Sequence, residues 1–165
     1  EIPDWPVKGV NFKDITTLLQ DRKTFKYVID EMIKPYKAVK INKVVAIDAR
    51  GFLLGSPIAY KLGCGICLVR KQGKLPYRTI IETYQKEYGP DTLALHTDTI
   101  RACEKILMVD DLIATGGTMK AAIRLVEKLG GKVVGVSFII NLPFLGGSKK
   151  LKKYKLHWLV SYESE

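Results

Sequence analysis

The stretch between residues 106 and 118 constrains the fold of this chain more than any other. An apolar run at 106–109 leads into two consecutive acids, Asp110 and Asp111, and then into a segment with two glycines. The apolar run predicts a buried strand, and the spacing of apolar residues from Met119 onward predicts a helix. A strand, turn and helix in this order are typical of a parallel α/β sheet, in which ligands bind beyond the carboxyl ends of the strands.

The turn between this strand and helix has the composition of a phosphate site. Gly116 and Gly117 let the backbone approach an anion, and the helix N-terminus adds N–H groups and a positive dipole end. Hydroxyl donors flank the glycines, whereas the two acids suit ribose hydroxyls or a hydrated Mg²⁺. The segment lacks the lysine of the Walker A P-loop, the phosphate-binding motif of many nucleoside triphosphatases. A sugar phosphate is the predicted ligand; in the alternative interpretation, Asp111 only caps the turn and the glycines only tighten it.

The rest of the sequence predicts one alternating α/β domain over residues 1–165. Asp21 is a candidate cap for a helix that Pro35 ends or bends, and Gly63 is a candidate C-terminal cap for a second helix. Residues 73–89 interrupt the alternation and predict a hairpin or a long mobile loop, a common form of active-site lid. The other predicted elements are strands at 43–47, 64–69, 105–109, 132–140 and 156–160, helices at 52–62 and 119–129, and a short basic helix before the last strand.

Charge and cysteine content restrict the class of protein. The net charge of +10 fits nucleic acid, an acidic membrane surface or a small polyanionic substrate. The lysine-rich segment 149–155 is interpreted as a solvated helix face. Three cysteines cannot all pair, so reduced thiols are expected; Cys64 and Cys67 are interpreted as small buried side chains, with a metal or redox pair as the alternative. The sequence lacks an apolar run of about 20 residues and a signal-peptide pattern, and we expect a soluble cytoplasmic protein.

Residues 109–118 resemble the PRPP-binding signature of type I phosphoribosyltransferases. Segments 9–16, 48–55 and 70–76, followed by 87–89, are similar to the adenine branch of that family and occur in the same order. The resemblance implies a central, mainly parallel sheet flanked by helices, with a small hood from residues 1–20 and a mobile lid from 71–90. It also implies a purine salvage enzyme, a homodimer, that transfers the 5-phosphoribosyl group of PRPP to adenine and gives AMP and pyrophosphate with Mg²⁺.

The resemblance further implies a role for each matching residue. The 5-phosphate of PRPP is assigned to Ala114, Thr115, Gly116, Gly117 and Thr118. The ribose hydroxyls are assigned to Asp110 and Asp111, which are also the groups available to a Mg²⁺ held mainly by PRPP and water. Pyrophosphate is assigned to Asp48, Ala49, Arg50, Arg70, Lys71 and Lys74, in a loop that often contains a non-proline cis peptide. Adenine is assigned to Asn11, Phe12 and Lys13. Arg50 and Glu87 are the catalytic candidates, Glu87 for the purine proton, and Tyr88 closes the lid.

Two other functions remain open from the sequence. The first is an enzyme that transfers to hypoxanthine, guanine or xanthine, which product formation with each base distinguishes. Alternatively, the chain is a PRPP-sensing regulator that binds nucleic acid through its basic surface, in a salt-dependent way. The sequence has no aromatic and basic RNA motif or helix-turn-helix pattern, so nucleic acid is not an expected partner.

Overall fold

The computed structural model describes residues 1–86 and 89–164. Their helices are α1 (Thr16–Gln20), α2 (Arg22–Ile33), α3 (Arg50–Leu62), α4 (Gly117–Lys128) and α5 (Gly147–Lys150), with 3-10 turns at Lys34–Tyr36 and Pro143–Leu145. Their strands are β1 (Lys43–Ile47), β2 (Gly65–Lys71), β3 (Thr79–Lys86), β4 (Gly89–His96), β5 (Lys105–Val109), β6 (Leu112–Ile113), β7 (Lys132–Asn141) and β8 (Leu156–Ser161).

The strands form one mixed sheet with a parallel centre. Strand β1 lies between β2 and β5, and β7 follows β5, all in parallel. Strands β6 and β8 both pair with β7 in parallel. The antiparallel part is the β3–β4 hairpin, which joins the sheet through a short pairing of β4 with β2. The carboxyl ends of β1 and β5 therefore lie side by side, and the loops that follow them share one edge of the sheet.

Helices cover both faces of the sheet because the buried strands alternate their apolar side chains. On β5, Ile106 and Met108 pack with the apolar side of α4, whereas Leu107 and Val109 pack with α2 and α3. Helix α2 has the predicted apolar stripe, and the Asp21 carboxylate accepts a hydrogen bond from the Thr24 backbone N–H at 2.7 Å. These two apolar layers fix the carboxyl ends of β1 and β5, and hence the loops that follow these strands.

Most predicted elements are confirmed, with several corrections. Helix α3 begins two residues earlier than predicted, whereas its end at Leu62 and its left-handed cap at Gly63 are as predicted. The hairpin alternative for the interrupting segment is observed, but its second strand, β4, extends beyond the predicted segment 73–89 to His96. The predicted turn after the acids contains β6, which pairs with the end of β7.

The lysines of the basic segment 149–155 are exposed, as predicted, but the helix covers only the first two of them. Helix α5 has only four residues, and the turn after it buries Leu151 in the core. The prediction for the cysteines is correct for Cys67, which is buried, whereas Cys64 is only partly buried. No helix within residues 1–86 and 89–164 has both the length and the apolarity needed to cross a membrane.

Gly135 on β7 lets Tyr36 approach the sheet, and we predict that a side chain there destabilises the fold. A Cβ on Gly135 would lie 2.2 Å from Tyr36 Cε1. Gly135→Ala must displace a fully buried ring, so we expect the free energy of unfolding to fall by about 1–3 kcal/mol in urea titrations. Gly65→Ala on β2 is the matched control, because its Cβ would meet only Lys43 Cγ at 3.8 Å. Equal stability of the two variants would contradict this account of the packing.

Candidate functional site

A cavity of about 350 Å³ opens where the loops after β1 and β5 meet. The loop after β1 contributes Asp48, Ala49 and Arg50, and the chain after β5 contributes residues 110–116, Thr118 and Met119. Lys86, at the end of β3, lines the same cavity. The structure thus brings most of the predicted phosphate, ribose and pyrophosphate residues to one place at the carboxyl edge of the sheet.

The predicted phosphate loop packs against a second segment of the chain, around Gly147. Gly116 has a φ of 76°, and a Cβ on it would lie 2.9 Å from Gly147 Cα. Gly147 in turn donates its N–H to the Ala114 carbonyl at 3.0 Å, and Lys150 Nζ donates to the Thr115 carbonyl at 3.0 Å. The carbonyl groups of the loop are therefore bonded on the outer side. The N-terminus of α4 remains available to an anion.

The two acids differ in their surroundings. The Asp110 carboxylate accepts a hydrogen bond from the Asp111 backbone N–H at 3.0 Å. Burial raises the pKa of Asp110 well above its usual range, and the Asp111 charge raises it further. Burial also raises the pKa of Asp111, although the Arg50 guanidinium opposes this effect. Arg50 Nε lies 2.9 Å from Asp111 Oδ2 in an ion pair without hydrogen-bond geometry, so that buried oxygen keeps an acceptor position for another donor.

The predicted pyrophosphate residues fall into two groups. Asp48 and Ala49 line the cavity and are joined by a cis peptide bond, as the resemblance implies. Arg70, Lys71 and Lys74 do not line it. Arg70 Nε donates to Asp48 Oδ2 at 2.8 Å, and its guanidinium also donates to the Lys74 carbonyl at 3.0 Å. Arg70 therefore contacts the cavity only through Asp48 in this conformation.

The N-terminal segment forms an apolar slot beside the cavity of the phosphate loop. Ile2 and Phe12 are hydrogen-bonded in an antiparallel bridge, and the Trp5 ring packs edge-on against Phe12 with centroids 4.4 Å apart. The Arg50 guanidinium lies 5.0 Å from the Phe12 ring centroid. Ile2, Trp5, Phe12, Asp14 and Arg50 line this slot, so Arg50 contacts both cavities.

Asn11 and Lys13, predicted beside adenine, have side chains that point elsewhere. The Lys13 side chain is buried, with Nζ 2.7 Å from a Glu1 carboxylate oxygen and 4.6 Å from the Tyr162 ring centroid. Asn11 Nδ2 donates to the other Glu1 oxygen at 3.4 Å. Any contact of Asn11 or Lys13 with a base in the slot is therefore left to their backbone groups.

The sequence analysis missed two residues on the β3 strand. The Tyr84 hydroxyl lies 2.9 Å from Thr118 Oγ1, and Lys86 lines the cavity two residues later. Alternation places both side chains on one face of β3, and that period-two pattern was the available signal. The predicted catalytic Glu87 and the predicted lid residue Tyr88 lie outside the described residues.

Comparisons with known proteins identify the family to which the chain belongs. The family model described as "Phosphoribosyl transferase domain" matches residues 15–163. An adenine phosphoribosyltransferase from Brachyspira hyodysenteriae is 55% identical over 161 residues, which cover 98% of this chain and 95% of the relative. The structure of adenine phosphoribosyltransferase from Thermoanaerobacter pseudethanolicus superposes with a TM-score of 0.94 at 46% identity and covers 98% and 94% of the two chains. The Saccharomyces cerevisiae enzyme, in complex with an imino-altritol bisphosphate and adenine, has a TM-score of 0.91 at 36% identity, with 96% and 92% covered.

We predict that Gly147→Ala damages the phosphate loop. A Cβ on Gly147 would lie 2.2 Å from the Ala114 carbonyl oxygen and 2.7 Å from the Gly116 nitrogen, so the loop must shift. Calorimetric titration with ribose 5-phosphate should show an affinity at least tenfold lower, which corresponds to about 1.4 kcal/mol. Ser148→Ala, one residue further along, is the control and should bind as wild type does. Wild-type affinity in Gly147→Ala would show that the loop does not depend on this contact.

The raised pKa of Asp110 predicts a specific dependence of stability on pH. Between about pH 4 and the raised value, the folded chain retains a proton on Asp110 that the unfolded chain releases, so the contribution of Asp110 to the free energy of unfolding falls as pH rises. Asp110→Asn removes that loss. Its free energy of unfolding should exceed that of wild type at pH 7, and the gain should vanish below about pH 4.

Asp30→Asn is an oppositely signed control for this experiment. Hydrogen bonds from Lys61 and Lys26 lower the pKa of Asp30 to about 2, so its stabilisation is present at neutral pH and is lost as pH falls towards 2. Urea titrations from pH 3 to 8 measure both variants. Parallel pH profiles for wild type and Asp110→Asn would contradict the burial argument.

Proposed function

The chain belongs to the adenine phosphoribosyltransferase family, and from that premise we propose that it transfers the 5-phosphoribosyl group of PRPP to adenine. The products are AMP and pyrophosphate, and the reaction is one of purine salvage. The observation that carries the proposal is that Arg50 lines both the cavity of the phosphate loop and the apolar slot of Phe12. A flat base in the slot and a phosphoribosyl group in the cavity would meet at this residue.

The main cavity suits the phosphoribosyl group at both of its ends. The N-terminus of α4, the N–H groups of residues 114–118 and the hydroxyls of Thr115 and Thr118 suit the 5-phosphate. Asp110 and Asp111 suit the ribose hydroxyls, because carboxylates accept hydrogen bonds from them and Asp111 Oδ2 keeps an acceptor position. The apolar slot suits adenine, since a purine can stack on Phe12 and the backbone of residues 11–13 can bond its edge.

In the proposed reaction, the bond from ribose C1 to the diphosphate breaks and a bond from C1 to adenine N9 forms. Positive charge develops on the ribose, and negative charge develops on the departing pyrophosphate. Arg50 and the backbone after β1, including Asp48 and Ala49, are positioned to stabilise the leaving group, with Arg70, Lys71 and Lys74 as further cations near that edge. The N9 proton goes to a base, which the family resemblance assigns to Glu87. The β3–β4 hairpin would exclude water that otherwise captures the ribose, and the family resemblance assigns closure of this lid to Tyr88.

The donor set of the cavity fits a Mg²⁺ ion held mainly by its substrate. Among the residues that the structure describes, no group of three or more His, Cys, Asp or Glu side chains could hold an ion by itself. Asp48, Asp110 and Asp111 are the carboxylates of the described chain that line the cavity, and Asp48 is paired with Arg70. Mg²⁺ commonly binds one or two carboxylates together with substrate phosphates and water, and Asp110 and Asp111 are the candidates for that role. When bound, the ion would neutralise charge on the diphosphate.

We further infer that the protein is a cytoplasmic homodimer. Three free cysteines in the described chain suit a reducing compartment. Leu53 and Tyr60 on α3 are exposed, as are Ile66 and Leu68 on the neighbouring β2. Adjacent exposed apolar side chains of this kind suit a self-complementary contact, and sedimentation of the purified chain would measure the assembly.

Product formation from each purine tests the proposed function. We expect AMP and pyrophosphate from PRPP, Mg²⁺ and adenine, with kcat/KM at least 100-fold below this for hypoxanthine, guanine and xanthine. The reason is that a site built to bond an amino group leaves buried polar groups unpaired against an oxo group. Preference for another purine would overturn the choice of base and keep the reaction. PRPP binding without turnover of any purine would instead favour a regulator.

A further inference from the structure

Lys86 overlies the predicted phosphate loop because of the way β3 crosses α4. Glu82, Tyr84 and Lys86 alternate with their neighbours and therefore share one face of β3. Successive side chains on that face are about 7 Å apart along the strand. Glu82 pairs with Arg124 and Lys128, in the second half of α4. The Tyr84 hydroxyl forms a hydrogen bond with the hydroxyl of Thr118, which lies in the first turn of the same helix. Lys86 is two residues further along β3. Its side chain therefore lies beyond the N-terminus of α4, where it lines the cavity.

The ammonium of Lys86 is held in this position by contacts on the hairpin itself. It forms an ion pair with the Asp91 carboxylate, and Nζ lies 5.5 Å from the Tyr84 ring centroid. Asp91 is directly opposite Tyr84 in the β3–β4 register and also lies 3.5 Å from Lys71 Nζ. Partial burial works against the charge of Lys86, but Asp91 and the Tyr84 hydroxyl raise its pKa above the ordinary value. The side chain is therefore both oriented and protonated.

A cation placed over a helix N-terminus is electrostatically unfavourable unless an anion lies between them. Lys86 already lines the cavity and its side chain is 43% exposed, so a ligand in the cavity can compete with Asp91 for its ammonium. Within residues 1–86 and 89–164, three carboxylates line the cavity. Asp48 is paired with Arg70 and Asp111 with Arg50, and Asp110 and Asp111 are assigned to the ribose. The arrangement of two positive groups around the phosphate loop matches a doubly charged phosphate.

We propose that Lys86 is a substrate-binding residue that contacts the 5-phosphate of PRPP and of AMP from the side opposite the 114–118 loop. This inference rests on the proposed function, because that function places the 5-phosphate in the loop. The hairpin would then add a charge-assisted hydrogen bond to a phosphate otherwise held by backbone groups and hydroxyls. Tyr84 and Asp91 are positioning residues, since they act through Lys86.

Ribose 5-phosphate is the direct probe, because it carries the 5-phosphate without base or diphosphate. Calorimetric titrations should show that Lys86→Met weakens ribose 5-phosphate and AMP about tenfold, whereas pyrophosphate binding changes less than twofold. Lys86→Arg keeps the charge and should bind all three ligands within about threefold of wild type. Lys120→Met is the matched control. Lys120 is an exposed lysine in the first turn of α4, close to the phosphate loop, but it does not line the cavity.

Each alternative outcome overturns the proposal. Unchanged ribose 5-phosphate affinity in Lys86→Met would remove the contact, and a loss for pyrophosphate alone would place Lys86 at the leaving group. An equal loss in Lys120→Met would reduce the effect to general electrostatics, and thermal melts of each variant would detect a folding defect. These titrations need no turnover, so a failure to make AMP from adenine would contradict the proposed function and leave the Lys86 result intact.

Discussion

The Arg50–Asp111 ion pair is the interaction on which the geometry of the site depends. It joins the chain after β1 to the chain after β5, and these strands are neighbours in the parallel sheet. The same guanidinium lies against the Phe12 ring, so one side chain connects three segments that are far apart in the sequence. Arg50 can do so because it is the first residue of α3, where its backbone is fixed by the packed helix and its side chain points out over the sheet edge.

This arrangement reconciles two acids with a phosphate site. Asp110 and Asp111 would repel a polyanion if both were fully charged and free, but burial disfavours the charge on Asp110 and Arg50 offsets that on Asp111. The cavity therefore presents carboxylate oxygens as hydrogen-bond acceptors at one end and helix N–H groups at the other. A molecule with hydroxyls and a phosphate about one sugar ring apart matches that polarity.

The sequence was informative where a feature depends on consecutive residues. The strand, acids, glycines and helix at 106–129 are one continuous pattern, and the capped helix α2 and the Gly63 terminus follow local rules. Features that depend on distant partners could not be predicted. Strand β6 exists because it pairs with β7, and Lys13 is buried because Glu1 and Tyr162 surround it, although lysine is usually exposed. Lys86 stood in a run of alternating residues whose orientation only the packing of β3 on α4 determines.

The contact between Gly116 and Gly147 has a consequence for how this sequence can vary over time. Each glycine occupies the space that a side chain on the other would need, and 30 intervening residues separate them in the chain. Neither position can therefore accept a larger residue by a single mutation without moving the phosphate loop, whatever happens to its immediate neighbours. The two positions are therefore expected to covary: a larger residue at one of them can persist only where the backbone around the other has already shifted.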